Sequence, residues 1–270
     1  MKPYILIWGG GDLASGIAMR LYRVGIRVLV VEIDQPRVVR RSVSFAQAVF
    51  DGETRVEDIT GRLVEKSEEI LECWDAEIVP VVVDPQLTLI NSLPPLAMID
   101  ARMLKKNISL SLDSADLVIG LGPGFIAGEN CHAAIETNRG HFLGRVYWKG
   151  SPEPDTGIPG KVQEYTRERV LHAPADGKLL ALKSIGDRVQ ECEPIASVNG
   201  ISVLAPFDGV IRGLIHDGIQ VTKGMKVGDV DPRPEQYRCW TVSEKSLAIA
   251  GGVLEAILTR KSICSQLWQD

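Results

Sequence analysis

A glycine-rich turn is the stretch of this sequence that is best suited to chemistry. Gly9, Gly10 and Gly11 follow an apolar run, and Asp12 and Leu13 begin a segment with helical apolar spacing. Glycines in this position let the main chain turn tightly and approach a diphosphate, and the N-terminus of the following helix attracts its charge. These five residues are therefore predicted to bind a nucleotide cofactor.

Two carboxylates bear on this prediction. Glu32 ends the next apolar run, where it could accept a hydrogen bond from a ribose hydroxyl and favour NAD over NADP. Asp12 argues against a bound phosphate, because a carboxylate about 4 Å from a phosphate costs on the order of 4 kcal/mol at a protein surface. Either Asp12 points away from the ligand, or the ligand presents a hydroxyl or a cation there. A third interpretation is that the glycines serve packing alone.

A second glycine loop follows a later apolar run and contains Gly122 and Gly124. Its main-chain amides could hold a second anionic group. The alternative is a tight turn without a ligand, because no P-loop lysine, serine or threonine accompanies these glycines.

Four residues are candidates for catalysis. Asp12 lies in the first turn, Arg139 and His141 follow the second loop and would face the reactive end of a ligand, and Cys239 is a thiol near the C-terminus. A buried structural thiol is the alternative for Cys239. The five cysteines lack any Cys-x-x-Cys spacing, which predicts neither a metal site nor a disulfide framework and indicates a reduced, cytoplasmic location.

The elements around these residues predict an α/β fold. Apolar residues 13, 17 and 21 mark one helix face, and apolar runs at 78–83, 97–100 and 117–121 read as buried parallel strands. A helix is also predicted from Pro36 to about Val49. Arginines in its first turns would oppose the helix dipole, so either nearby acids or an anionic ligand should lie beside them. These are Arg37, Arg40 and Arg41.

The region from 173 to 230 contains two copies of one unit, offset by 32 residues. Each copy reads as short strands with an Asp-Gly turn, and two such halves are expected to interlock because neither can bury its apolar face alone. The pattern resembles the barrel-sandwich hybrid fold of biotinyl and lipoyl domains. The hairpin that carries the modified lysine in those domains is here Val198-Asn199-Gly200-Ile201, without lysine, which favours docking or covering over a swinging arm.

The predicted fold is thus a Rossmann-like parallel sheet domain, a small all-β barrel-sandwich hybrid module and a closing C-terminal helix. Gly251 and Gly252 inside that helix suggest a close approach to another backbone or to a ligand. The predicted ranges are 1–150 for the nucleotide-binding domain, 151–168 for a linker, 169–234 for the β module and 235–270 for the helix that packs back on the first domain.

Charge and hydropathy narrow the possible partners. The formal net charge of -5, without a basic stripe, argues against nucleic acid. No apolar run is long enough to span a membrane, and no signal peptide is expected. A homo-oligomer is compatible with the sequence.

Several motifs together resemble one family, the selenium-dependent molybdenum hydroxylase system proteins, also called YqeB-type. They occur in order along nearly the whole chain. The resemblance implies an accessory role in the maturation of a molybdenum hydroxylase and supplies no catalytic residues. The motifs are Gly9-Gly10-Gly11-Asp12-Leu13-Ala14-Ser15-Gly16, Gly120-Leu121-Gly122-Pro123-Gly124-Phe125, Glu136-Thr137-Asn138-Arg139-Gly140-His141, Asp155-Thr156-Gly157-Ile158-Pro159-Gly160 and Gly251-Gly252-Val253-Leu254-Glu255-Ala256.

Three functions follow as hypotheses. In the first, the chain binds a dinucleotide such as molybdenum pterin cytosine dinucleotide and assists a molybdenum hydroxylase or its cofactor-assembly proteins. In the second, it is an NAD-dependent oxidoreductase. In the third, it is a docking scaffold without catalysis.

Overall fold

The computed structural model describes residues 2–104, 110–157 and 160–267 and shows a mixed α/β protein. The chain divides into two compact units. Unit 1 comprises Met1–Pro36, Phe45–Thr156 and Val242–Asp270, and unit 2 comprises Arg37–Ser44 and Gly157–Thr241.

Unit 1 is built on a nine-stranded mixed sheet in the order β3-β4-β5-β2-β1-β6-β7-β8-β9. Its strands pair in parallel except for β3 with β4 and β8 with β9. Strands β2 to β5 lie on one side of β1, and strands β6 to β9 lie on the other side, so the strand order reverses between β1 and β6. The strands are β1 (Ile5–Trp8), β2 (Val28–Glu32), β3 (Glu53–Val56), β4 (Ile59–Leu63), β5 (Val79–Val83), β6 (Ala97–Asp100), β7 (Leu117–Leu121), β8 (Ala133–Ile135) and β9 (Val146–Tyr147).

The helices of unit 1 are α1 (Asp12–Arg23), α2 (Ala48–Asp51), α3 (Ser67–Asp75), α4 (Glu244–Thr259) and α5 (Lys261–Leu267). Helix α4 packs closely on α1, because a side chain at Gly16 would collide with Ser246. The prediction of a close approach at the glycine pair is confirmed for Gly252, where a side chain would meet the carbonyl of Gly144. Gly251 faces open space.

The predicted helix from Pro36 to Val49 is wrong. The chain forms 3₁₀ turns at Arg41–Val43 and Phe45–Gln47 before the short α2. Serine side chains compete with helical bonding here, since Ser44 Oγ donates to the carbonyl of Arg40 at 2.7 Å.

Arg40 and Arg41 of this segment bind main-chain carbonyls of unit 2. Arg40 Nη2 donates to the carbonyls of Arg238 and Thr241, both at 3.1 Å, and Arg41 Nε donates to that of Leu214 at 3.0 Å. The segment 37–44 is therefore part of unit 2 and not a crossover helix of unit 1.

Among the described residues, strands of the sheet alternate with α-helices up to β5, apart from the consecutive β3 and β4. After β5 and before β7 the described chain has 3₁₀ turns at Thr88–Asn91 and Leu112–Ser114. Residues 51–60 contain β3 and the start of β4. Residues 105–109 and 158–159, which include part of one family motif, lie outside the described ranges.

Unit 2 contains two four-stranded antiparallel sheets, ordered β10-β17-β15-β12 and β14-β13-β11-β16. The strands are β10 (Val170–His172), β11 (Gly177–Ala181), β12 (Arg188–Val189), β13 (Pro194–Val198), β14 (Ile201–Leu204), β15 (Gly209–Leu214), β16 (Gln220–Val221) and β17 (Lys226–Asp231).

The 32-residue repeat appears directly in these strands. Strands β14 to β17 lie about 32 residues after β10 to β13, and each sheet takes two strands from each copy. Equivalent main-chain bonds agree, because Gly186 N donates to Ile211 O and Gly218 N donates to Leu179 O, both at 2.8 Å. The two copies therefore interlock, as the repeat predicts.

The hairpin between the copies is a two-residue turn. Val198 pairs with Ile201, and both central residues are left-handed, with φ of 50° at Asn199 and 76° at Gly200. This is the type I′ geometry that an Asn-Gly pair favours.

Candidate functional site

The first glycine turn lies at the carboxyl end of β1, and the protein itself fills the space beside two of its glycines. Gly10 N donates to Glu32 Oε2 at 2.7 Å, and Gly10 O accepts from Ala46 N at 2.9 Å. A side chain on Gly10 would lie 2.9 Å from Ala46 N, and one on Gly9 would lie 3.2 Å from Arg102 N. Gly9 and Gly10 are therefore needed for packing, whatever else the turn does.

Gly11, Asp12 and Leu13 are half-buried and form the exposed part of this turn. Gly11 is the N-cap of α1, with extended backbone and no side-chain cap. The α1 N-terminus is thus the part of the predicted nucleotide site that a ligand could reach.

Glu32 is almost fully buried and fixes the turn. Its Oε2 accepts from Gly10 N and its Oε1 accepts from Ile33 N at 2.8 Å. Burial raises the pKa of this carboxyl, and the two hydrogen bonds oppose that shift. Both oxygens thus bind the main chain, so the predicted ribose contact would have to share an oxygen that already accepts one hydrogen bond.

Buried carboxylates also follow other parallel strands, and each one holds the loop after its strand. Glu136 accepts from Asn138 N and from Glu153 N, both at 2.7 Å, and Asp84 accepts from Leu89 N at 2.8 Å. Among the described residues, no group of three or more His, Cys, Asp or Glu is arranged to hold a metal ion. These acids therefore act as loop anchors.

Asp100 at the end of β6 forms a bidentate pair with Arg102. Arg102 Nε and Nη2 donate to its two oxygens at 3.0 and 2.6 Å, and the guanidinium lies over the Trp8 ring. This charge-assisted clamp places the Arg102 main chain against Gly9 and closes one side of the glycine turn.

The second glycine loop is explained largely by packing. A side chain on Gly120 would collide with the buried Phe125 ring, and one on Gly122 would lie 2.5 Å from Thr137 Oγ1. Gly122 has φ of +76° and Gly124 has φ of +100°, values that other residues rarely adopt. The geometry favours the tight-turn alternative for Gly122 and Gly124.

Three of the four catalytic candidates belong to unit 1, and the fourth, Cys239, belongs to unit 2. Arg139 is exposed and donates to Glu244 Oε1 at 2.5 Å, and His141 is exposed against the Phe142 ring. Asp12 lies in the first turn of α1. Cys239 belongs to unit 2, where burial raises the pKa of its thiol.

Neither of the buried thiols of Cys239 and Cys131 is activated. Cys239 is buried with Sγ 3.6 Å from Ile211 O, and burial raises the pKa of Cys131 to about 12. Because the thiolate is the nucleophile, both residues are expected to be inert. The buried structural alternative therefore describes Cys239.

Lys245 is the residue that our sequence analysis misses. It lies in the first turn of α4, half-buried, near Asp12, Glu136, Arg139 and Glu244. Burial is the main cause that lowers the pKa of its ammonium, Arg139 adds to it, and the carboxylates oppose it. A lysine two residues after the serine N-cap Ser243 opposes the helix dipole, and this was the available signal.

A surface cavity of about 620 Å³ occurs in unit 2 and contains none of the predicted site residues. Arg188, Glu193 and Asp208 line it, so it presents both signs of charge. It shows no preference for an anionic ligand.

Comparison with known proteins gives one close relative. The chain is 46% identical over 254 residues to the uncharacterized protein YqeB of Escherichia coli strain K12. The match covers 94% of this chain and 47% of that protein, so the chain spans about half the length of its curated relative. This similarity supports the YqeB-type assignment. No family profile matches the chain.

Similar solved structures are remote. An aspartoacylase family protein of Mesorhizobium loti is 11% identical with a TM-score of 0.27, over 87% of this chain and 86% of that chain. A succinylglutamate desuccinylase/aspartoacylase of Rhodobacter sphaeroides is 14% identical with a TM-score of 0.28, over 87% of each chain. Likeness at this level carries neither a fold nor an activity to this chain.

None of the described helices combines the length and the apolar character needed to cross a membrane.

Proposed function

We propose, on the premise of this kinship with YqeB, that the chain is a cytoplasmic accessory protein in the maturation of a selenium-dependent molybdenum hydroxylase. In this proposal unit 1 is a Rossmann-like domain that binds a dinucleotide. The ligand that fits the role is the dinucleotide form of the molybdenum cofactor, molybdenum pterin cytosine dinucleotide.

The observation that carries the proposal is the place of the glycine turn in the sheet. The parallel strands β5-β2-β1-β6-β7-β8 follow the order 3-2-1-4-5-6 when they are counted along the chain from β1, with β4 left out. Sheets of this order bind dinucleotides at the carboxyl ends of their strands, where the order reverses. The turn from Gly9 to Gly11 follows β1, directly beside that reversal between β1 and β6.

The contacts within the turn limit where the ligand would bind. Gly9, Gly10 and Glu32 are engaged by the chain itself, so the proposed contacts are Gly11, Asp12 and Leu13. Lys245 lies near Asp12 and offsets the charge that would repel a phosphate. Arg139 adds a second cation nearby.

Unit 2 has a docking role in this proposal. Its two interlocked copies and its two-residue hairpin support kinship with the barrel-sandwich hybrid of biotinyl and lipoyl domains. Asn199 and Gly200 occupy the hairpin that carries the modified lysine in those domains. The module would therefore bind the hydroxylase or its cofactor-assembly proteins without carrying a group.

Thermal unfolding with NAD, NADP, ATP, CTP and CDP tests the nucleotide site. A ligand at a hundred times its Kd should stabilise the protein by about 2.7 kcal/mol. Gly11→Val should abolish the shift, because Gly11 has φ of -67°, which valine adopts without strain, and the added side chain stands at the helix N-terminus. Gly251→Ala, which faces open space on α4, is the matched control and should keep the shift.

The panel also separates the alternatives. A shift with cytidine nucleotides that Gly11→Val removes supports the proposal. A shift with NAD alone would replace it with the oxidoreductase, and no shift with any nucleotide would favour the docking scaffold.

A further inference from the structure

His132 extends the pairing of β7 with β8 through its side chain. Its main-chain N–H donates to Val118 O at 2.8 Å, and Val118 N donates back to Nδ1 of the His132 ring at 3.0 Å. These two bonds lie directly before the parallel register of the two strands, which begins with Ile119 opposite Ala133. The imidazole is therefore the acceptor for a main-chain N–H at the amino ends of both strands.

The direction of this bond fixes the protonation state of the ring. A main-chain N–H can only donate, so Nδ1 carries a lone pair and the proton of the neutral ring is on Nε2. A protonated imidazole has donors at both nitrogens, and its Nδ1–H would face the N–H of Val118. Because Val118 is fully buried, protonation of His132 would leave its N–H unpaired, which is costly.

The surroundings of His132 also disfavour the protonated ring. Burial is the main cause that lowers its pKa, and the nearby guanidinium of Arg260 adds to the shift. Asp113 in the 3₁₀ turn Leu112–Ser114 and Asp116 directly before β7 oppose it. The ring is therefore neutral at neutral pH.

Arg260 connects this histidine with the junction of two helices. It follows α4, and its carbonyl accepts from Ile263 N at 2.9 Å and from Cys264 N at 2.8 Å in α5. Its guanidinium lies over the Trp148 ring, 5.0 Å from the centroid. A positive charge on His132 would repel this guanidinium, so protonation disturbs the α4–α5 junction as well as the two strands.

We propose that His132 is a pH-sensitive switch, which holds the amino ends of β7 and β8 together when it is neutral and releases them when it is protonated. The released state takes up a proton at the ordinary pKa of histidine, whereas the paired state resists protonation. The free energy of opening is therefore largest above about pH 6.5 and falls as the pH decreases toward the lowered pKa of the paired state. The switch requires no ligand and so does not depend on the proposed nucleotide site.

Hydrogen exchange of the Val118 amide tests the proposal at pH 7.5 and pH 5. Its protection factor in the wild type should fall by about tenfold for each pH unit in which only the released state is protonated. His132→Asn should keep its protection factor at both pH values, because the side-chain oxygen of asparagine can accept the same bond and does not titrate. His141→Asn, which changes an exposed histidine of unit 1, is the control and should show the wild-type dependence.

The comparison of the two variants decides whether His132 is the group that titrates. A loss of Val118 protection at pH 5 that His132→Asn removes and His141→Asn keeps supports the proposal. The same loss in the wild type and in His132→Asn would overturn it, because other groups would then cause the opening. An unchanged protection factor in the wild type would overturn it as well.

NMR of the imidazole nitrogens in the wild type gives a second measurement if His132→Asn does not fold. At pH 7.5 Nδ1 of His132 should give the signal of an unprotonated acceptor, and Nε2 should give that of a protonated nitrogen. A proton on Nδ1 at this pH would contradict the proposal. Titration of His132 at or above the ordinary pKa of histidine would contradict it equally.

Discussion

The two copies of the repeat in unit 2 share a main-chain design and differ on their outer faces. The carboxylate of Asp176 accepts from Lys223 N and that of Asp208 accepts from Glu191 N, each at 2.7 Å and at equivalent positions. On the outer face, however, Leu180 of the first copy is 55% exposed, whereas its counterpart Arg212 is 9% exposed. The repeat thus encodes strand pairing, and the surroundings decide which outward side chains are buried.

A short segment of unit 2 covers part of the second copy. The segment 37–44 packs on β15, where Val39 lies against Gly213 and Arg41 binds the carbonyl of Leu214. The residue equivalent to Gly213 in the first copy is Ala181. A glycine therefore occurs where a segment covers the strand, and a half-buried alanine occurs at the equivalent position of the first copy.

The largest expected effect on stability comes from the buried ion pair between Arg169 and Asp229. Arg169 Nη1 donates to both oxygens of Asp229, at 2.7 and 2.9 Å, and both side chains are buried. Arg169→Met should destabilise the protein by about 3–5 kcal/mol in urea unfolding, because it leaves a buried carboxylate without its partner. The counterpart change Ile201→Met should stay within about 0.5 kcal/mol. Equal losses in the two variants would contradict the asymmetry.

A smaller effect is expected where the segment 37–44 covers β15. A side chain at Gly213 would lie 2.7 Å from Val39 Cγ1 and 2.9 Å from Val39 O. Gly213→Ala should therefore cost about 1–3 kcal/mol by overpacking, measured by thermal unfolding. Ala181→Gly, the reverse exchange in the first copy, should cost about 0.5–1 kcal/mol through chain entropy alone. A neutral Gly213→Ala would show that the cover is loose.

The smallest effect should be a gain in stability at a place where the copies disagree in residue type. Cys192 has φ of 63°, and its counterpart Gly224 has φ of 82°. A left-handed conformation is strained for cysteine, so Cys192→Gly should stabilise the protein by up to about 1 kcal/mol in thermal unfolding. Gly224→Ala is the opposite test and should destabilise. A loss of stability in Cys192→Gly would show that the thiol makes contacts of its own.

The contrast between the repeated main-chain pattern and the surroundings of each copy also explains how much of the fold could be predicted from the sequence. The repeat could be predicted because the same unit occurs twice in the chain at a fixed offset. The hairpin could be predicted because Asn199-Gly200 favours one turn type locally. In unit 1 the pattern located β1, the glycine turn and α1. The resemblance to YqeB-type proteins likewise lies in motifs within short stretches of sequence.

The features that could not be predicted from the sequence depend on contacts between residues that are distant along the chain. Glu32 and Ala46 occupy the glycine turn from 22 and 36 residues away, and no local pattern encodes that. The expected helix after Pro36 gave way to hydrogen bonds with carbonyls near 214 and 238. Lys245 approaches Asp12 because Ser246 joins two helices from opposite ends of the chain.

The interlock of the copies has a consequence for folding kinetics. The pairing across Asn199-Gly200 joins two strands that are adjacent in the chain, whereas Val170 pairs with Asp229 and Gly177 with Val221. Contacts that close long loops are slow to form, and neither copy contains a complete sheet on its own. Unit 2 should therefore fold over one cooperative barrier, with the central hairpin formed early and the strands at its two chain ends joined last.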